Sequence, residues 1–253
     1  MRNVQIIVEY DGSAYCGWQR QQNGTTVQQC LEEALFRLTG EAIRLTAAGR
    51  TDAGVHACAQ SANFFTQCTI PTRRMPYALN SVLPEDIVVT AAYERAETFS
   101  SRFSAREKTY VYKILNRPLP SALQRKYVYF YPMLLDIEKM RRAARHFIGE
   151  HDFVAFMATG SQSKTTVRQL YTLQVEKKED LIEITVCGNG FLYNMVRIIA
   201  GTLLYVGNGK IEPEVVKSII ARKDRTLAGA TLPPQGLYLK EVVYDDAILK
   251  EKD

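Results

Sequence analysis

A short loop of small residues carries the side chains best suited to chemistry. The segment AAGRTDAGVHA, residues 47–57, places Arg50 and Asp52 two positions apart among alanines and glycines. A carboxylate can act as a base, an acid or a covalent nucleophile, and a nearby guanidinium counteracts the rise in carboxyl pKa that burial causes. The small neighbours leave room for a planar ligand. The same pattern also fits a plain turn in which Asp52 bonds its own backbone and Arg50 stays solvated.

An arginine inside the most apolar segment is the second candidate. GFLYNMVRIIAGTLLYVG, residues 190–207, is predicted to form a buried helix from about 191 to 206, with Asn194, Arg197 and Gly201 about one turn apart. A buried guanidinium without an anion is costly, so we expect this polar stripe to face a cleft that holds an anionic group. The alternative is that Arg197 extends to solvent.

Strands and helices alternate along the chain around these two segments. The pattern predicts an α+β fold with largely antiparallel sheets. The predicted strands lie at 4–10, 43–48, 58–65, 87–94, 106–115, 166–176 and 181–187. The predicted helices run from the Thr26 cap to Gly40 and over 75–81, 136–148 and 191–206. We expect two domains, 1–103 and 104–253, the first with the Asp52 loop and the second with Arg197.

Composition narrows the class of protein. The 253 residues carry a net charge of +5, which is compatible with a polyanionic partner. The five cysteines form no CxxC pair and only three histidines are present, so we expect a reducing cytoplasm and no metal site. Neither a secretion signal nor a membrane span is predicted. Because no phosphate-binding glycine loop, GxGxxG, HExxH or GxSxG motif is found, we expect chemistry on a carboxylate without a cofactor.

The loop at 47–57 resembles the signature of the TruA family of tRNA pseudouridine synthases, and the resemblance covers nearly the whole chain. Further matching blocks are, in order, YDGSAYCGWQRQ (10–21), TVQQCLEEAL (26–35), ALNSVLPEDIVV (78–89), RFSAREKTYVYKI (102–114), GEHDFVAF (149–156), FLYNMVR (191–197) and GLYLKEVVYD (236–245). One block departs: where many relatives carry Phe-His-Ala-Arg, this chain has Phe99-Ser100-Ser101-Arg102. That difference bears on local RNA contact or packing, and it leaves the catalytic candidates untouched.

The resemblance implies an activity and an architecture. Family members isomerise uridine to pseudouridine at positions 38, 39 and 40 of the tRNA anticodon stem-loop, after flipping the base into a cleft. The implied fold has two similar lobes with RRM-like or ferredoxin-like sheets flanked by helices, and the catalytic cleft lies between the lobes. The implied enzyme is a cytoplasmic homodimer that needs no cofactor.

The resemblance also assigns roles to single residues. Asp52 matches the catalytic aspartate, and Arg197 matches an arginine that pairs with it. Tyr110 matches a tyrosine that stacks on the extracted base and handles a proton, although strand position alone would favour a core or sheet-surface tyrosine. Arg50 would fill the space left by the base or hold a phosphate, the alternative being a surface phosphate contact only.

RNA binding is expected to fall to basic side chains and to one histidine. His56 is a candidate for substrate binding, with a structural role as its alternative, while His151 is expected in a turn. The basic candidates are Arg20, Arg73, Arg74, Arg102, Arg106, Lys108, Arg141, Arg142, Arg145 and Lys164. Two other functions stay open: a uridine methyltransferase that attacks through Cys58, and a non-catalytic RNA-binding module with RRM-like sheets.

Overall fold

The computed structural model describes residues 1–160 and 163–245. Over these residues the strands are β1 Arg2–Tyr10, β2 Thr46–Ala47, β3 His56–Thr66, β4 Ile87–Arg95, β5 Ala105–Asn116, β6 Tyr129–Tyr131, β7 Gly149–Asp152, β8 Val167–Lys178, β9 Leu181–Gly188 and β10 Leu237–Tyr244. The α-helices are α1 Val27–Thr39, α2 Met75–Asn80, α3 Ile137–Ala144, α4 Met195–Gly207 and α5 Val215–Arg222. The protein is therefore α+β, and most of the strand pairs are antiparallel, as the sequence predicts.

One compact unit comprises Met1–Lys108 and, within the described residues, 238–245. Its strands lie in the order β4, β1, β3, β10; β1 pairs antiparallel with β3 and β4, and β10 runs parallel to β3. Strand β1 is buried on both faces, since successive side chains point to opposite faces and the consecutive residues 3–6 are all buried, while Glu9 is exposed. At the start of helix α1 the Thr26 hydroxyl accepts a hydrogen bond from the Gln29 amide, and the helix ends at Gly40, whose φ is +72°. Both ends are as predicted.

The other unit comprises Thr109–Leu237. Its strands follow the order β5, β9, β8, β7, and β6 pairs with β5 in parallel. Helix α3 packs on α4 and on β8. Phe147 and Phe156 meet edge to face in its core, with ring centres 5.0 Å apart.

The apolar helix begins later than its composition predicts. It was expected from about residue 191, and α4 starts at Met195 because Asn194 adopts a left-handed backbone with φ +60°, after a turn in which the Met195 amide bonds to the Leu192 carbonyl. The predicted helix over 136–148 is also shorter, since a 3₁₀ turn at Arg145–Phe147 follows α3. His151 lies in β7 and not in a turn, which corrects that expectation.

The two units differ in extent from the domains 1–103 and 104–253. Strand β10 was not predicted, and it returns to β3, where Tyr238 is the neighbour of His56. The C-terminal strand therefore belongs with the Asp52 loop. Within the described ranges, no helix is both long and apolar enough to cross a membrane.

Candidate active site

The entry side of the Asp52 loop is held by hydrogen bonds to its backbone. The Ala48 amide donates to the Ser61 carbonyl at 2.8 Å, and Lys108 Nζ donates to the Ala48 carbonyl. The Gln60 side chain donates to the Gly49 carbonyl at 2.9 Å. The Ser61 and Gln60 contacts tie the loop to β3, and the Lys108 contact ties it to the start of β5.

The residue between the two candidate side chains points into the core. Thr51 is buried, its hydroxyl lies 2.7 Å from the Tyr10 hydroxyl, and its carbonyl accepts the Trp18 amide at 3.0 Å. Burial raises the pKa of Tyr10, so that phenol stays neutral and able to bond. With Thr51 fixed inward, Arg50 is exposed and Asp52 is half-buried.

A tight turn follows Asp52. The Val55 amide donates to the Asp52 carbonyl at 3.1 Å, and Gly54 has a φ of +77° that suits glycine. The Gly54 amide also bonds to the Tyr15 carbonyl at 3.3 Å. A methyl group at Gly12 would lie 2.0 Å from the Val55 carbonyl oxygen, so the segment around Gly12 presses directly on this turn. The Asp52 backbone is thus positioned from both sides.

His56 is a buried residue directly after the Asp52 turn, and it packs against its neighbours in the core. It is 2% exposed, and its ring stacks on Tyr238 with centres 4.7 Å apart. Its Nδ1 atom lies 3.1 Å from both the Gly12 amide and an Asp11 carboxylate oxygen, contacts that need opposite protonation of that nitrogen. The buried amide has the greater need of a partner, so a neutral ring that accepts from Gly12 fits better. Direct substrate binding by His56 stays a prediction.

Arg197 is half-buried on the first turn of α4. Its Nε donates to the Leu232 carbonyl at 2.6 Å, and one terminal nitrogen donates to the Asn194 side-chain oxygen at 2.6 Å. The Leu232 amide in turn bonds to the Arg197 carbonyl at 3.4 Å. Two acceptors fix the plane of a guanidinium, whose donors have fork geometry.

Two tyrosines of β5 lie in the same unit as Arg197. Tyr110 is 7% exposed, and Phe191 meets its ring edge to face at 5.0 Å. Tyr112 donates to the Pro233 carbonyl at 2.7 Å. Burial raises the pKa of Tyr112, and the positive charge of Arg197 opposes that rise. Tyr112 therefore remains a neutral donor that anchors the segment carrying Leu232.

The basic candidates are spread over the surface of both units. Lys108 is half-buried, and the exposed ones are Arg20, Arg73, Arg74, Arg102, Arg106, Arg141, Arg142, Arg145 and Lys164. Three of these arginines pair with acids: Arg20 with Glu32, Arg106 with Asp245 and Arg141 with Glu138. Arg102 instead lies 5.3 Å from the ring centre of Phe103, which is 81% exposed. An exposed arginine on an exposed aromatic ring suits RNA.

The segment that departs from the family pattern is anchored by a buried network. The Ser101 amide donates to Asn63 Oδ1 at 2.8 Å, and the Ser101 hydroxyl lies 3.2 Å from that of Ser61. Tyr244 donates to the Ser101 carbonyl at 2.9 Å. Sequence patterns had singled out none of these partners, because isolated Ser, Asn and Tyr residues carry no periodic signal.

Comparison with known proteins decides the family. Residues 6–104 and 143–245 match a family model described as tRNA pseudouridine synthase. The chain belongs to the tRNA pseudouridine synthase family. A "tRNA pseudouridine synthase A" of Thermoanaerobacter sp. (strain X514) is 53% identical over 244 residues, which cover 96% of this chain and 100% of the relative. The protein of that name from Caldicellulosiruptor bescii is 52% identical with the same coverage, and that from Acetivibrio thermocellus is 49% identical.

Membership in the pseudouridine synthase family confirms the resemblance found in the sequence. The chain is an enzyme, an isomerase that acts on uridine in tRNA. The family model leaves out residues 105–142, so Tyr110 lies outside the matched ranges, whereas Asp52 and Arg197 lie inside them.

Proposed function

We propose that this pseudouridine synthase modifies uridines 38, 39 and 40 in the tRNA anticodon stem-loop, with Asp52 as the catalytic carboxylate and without a cofactor. The observation that carries the proposal is the Asp52 loop, which lies inside the matched family range and holds a half-buried carboxylate two positions from an exposed arginine. A base in a stem must leave its stack first, at a cost of a few kcal/mol. We infer further that the enzyme acts in the cytoplasm as a homodimer.

The isomerisation detaches uracil from ribose at N1 and reattaches it through C5. C5 loses its proton to solvent and N1 takes one up, so the composition is unchanged and a tritium label at C5 is released. Asp52 could attack the ribose carbon, add to uracil C6 or remove a proton, and each role needs an ionised carboxylate beside the glycosidic bond. If Asp52 only shaped the turn, its charge would not be needed. Activity that depends on the Asp52 carboxylate therefore distinguishes a catalytic role from a purely structural one.

Arg197 is proposed as the counter-ion of Asp52. A half-buried guanidinium favours an anion nearby. The bonds to the Leu232 carbonyl and the Asn194 amide oxygen set the plane in which it would meet that anion. A fixed cation beside the carboxylate keeps it charged when the flipped base excludes water. The rigid plane of the guanidinium would also aim the carboxylate at the sugar.

Tyr110, Arg50 and the surface cations are proposed as the substrate contacts. The Tyr110 ring would stack on the flipped uracil, and stacking on an aromatic side chain is worth about 1–3 kcal/mol. Arg50 is exposed, so it can reach the stem or a phosphate. Arg20, Arg102 and Arg106 would hold the phosphate backbone. His56 is proposed to contribute to substrate binding through the Asp52 loop.

A cofactor-free assay tests the function. The protein is incubated with tRNA carrying tritium at C5 of uridine, and with matched tRNAs that keep uridine only at position 38, 39 or 40. We expect tritium release and pseudouridine in the product from each of the three. A methyltransferase would release nothing without a methyl donor, and a binding module would release nothing at all. Release from uridines elsewhere but not from these three would refute the assigned positions.

A further inference from the structure

Asn194 occupies an unusual position at the start of α4. It is the N-cap residue. At this position asparagine ordinarily has an extended backbone, and its side-chain oxygen accepts a hydrogen bond from a backbone amide of the first turn. Here its φ is +60°, and its side chain makes no capping bond. The side-chain oxygen accepts instead from a terminal nitrogen of Arg197 at 2.6 Å.

The left-handed backbone and the side-chain bond make separate demands on this residue. The backbone demand suits glycine best, and asparagine is one of the few other residues that tolerate it. The bond to Arg197 needs an acceptor oxygen, which glycine lacks. An arginine can only donate, so the amide must turn its oxygen towards it. Asparagine meets both demands, and alanine would meet neither.

We propose that Asn194 is a positioning residue for the isomerisation, one that holds the Arg197 guanidinium at the angle from which it acts on Asp52. The inference rests on the proposed function, because it takes Arg197 as the counter-ion of the catalytic carboxylate. Leu232 bonds Nε and Asn194 bonds a terminal nitrogen, so the two acceptors stop rotation about the end of the side chain. Loss of the Asn194 acceptor leaves the charge in place and removes one of the bonds that set its direction.

Substitutions can separate the two demands. Asn194→Gly keeps the backbone and removes the acceptor, so we expect kcat to fall at least about tenfold, the cost of losing a charged hydrogen bond, with thermal stability unchanged or raised. Glu179→Gly is the matched control, since Glu179 also has a positive φ, +53°, in the exposed turn between β8 and β9. That control should keep wild-type turnover.

Coupling to Arg197 distinguishes positioning from general structural support. Arg197→Lys keeps the charge without the planar fork and should lower kcat. Adding Asn194→Gly to that variant should cost little more, because residues that act as one unit are not additive. Independent losses that multiply would overturn the inference. If Arg197→Lys is impaired and Asn194→Gly is not, only this inference fails; if Arg197→Lys turns over at the wild-type rate, the proposed role of Arg197 fails as well.

Discussion

Gly201 is the point at which a single methyl group should disturb the site most. In a helix interior, alanine is ordinarily more stable than glycine by about 0.5–1 kcal/mol. In α4, however, a Cβ at Gly201 would lie 1.9 Å from the Ala230 carbonyl oxygen. Carbon and oxygen in contact normally stay about 3.3 Å apart. The contact is with backbone, so no side chain can swing away, and the chain at 228–232 must move by more than about 1 Å.

Moving the 228–232 segment would lower the free energy of unfolding. It breaks the buried bond from the Gly229 amide to the Thr202 hydroxyl, which is 2.8 Å long. An unmade buried hydrogen bond costs about 1–3 kcal/mol and overpacking costs a similar amount. After the helical gain is subtracted, Gly201→Ala should lower the free energy of unfolding by about 1–5 kcal/mol, and the middle of that range is about 3 kcal/mol. For a chain of this size, a loss of about 3 kcal/mol should lower the Tm by roughly 6–12 °C. Turnover should also fall, because Leu232 would shift away from Arg197.

Thermal and urea unfolding followed by circular dichroism measure the effect. Gly190→Ala is the control: its φ is not left-handed, and its Cβ would lie 3.6 Å from Arg168 Nε, an ordinary contact distance. That variant should stay within about 1 kcal/mol of the wild type. A Gly201→Ala protein as stable as the wild type would refute the described packing of residues 228–232 on α4.

Three further outcomes are expected. Burial raises the pKa of Tyr244 to about 12; its stabilising contribution is intact below the ordinary tyrosine pKa of about 10 and is lost as pH rises towards 12. Tyr244→Phe should therefore flatten the alkaline fall in unfolding free energy, and an unchanged fall would count against this. Arg102→Gln should reduce the salt slope of tRNA binding by about 0.7–0.9; an equal slope would remove Arg102 from the interface. Tyr110→Ala should weaken tRNA binding by about 1–3 kcal/mol relative to Tyr110→Phe, and equal affinities would refute stacking.

The sequence predicted the elements with a clear period and a clear end. Helix α1 is an example, since Thr26 and Gly40 mark its limits and the leucines between them repeat at helical spacing. The start of α4 was wrong by about four residues, because the apolar run continues through Leu192 while the backbone at Asn194 leaves the helical region. Hydrophobic periodicity carries no information on a single left-handed residue.

The sequence predicted those site residues whose charge is unusual for their surroundings, and it did not predict the residues that support them. Asp52 and Arg197 stand out as charges in small or apolar surroundings. Their supports do not: Tyr10 bonds Thr51 across 41 positions of chain, and the contact of Leu232 with Arg197 runs through a backbone carbonyl. Such long-range pairs depend on strand register and loop path, which a sequence pattern does not specify.

Replacement of Asp52 tests the central claim most directly. Asp52→Asn keeps the size of the side chain and removes its charge, and Asp136→Asn is the control, because Asp136 caps the exposed start of α3 and asparagine caps equally well. In single-turnover release of tritium from C5-labelled tRNA, the control should react at the wild-type rate. The Asp52→Asn enzyme should release none, while its tRNA affinity stays within about 1 kcal/mol of the wild type. Wild-type release from Asp52→Asn would contradict the account.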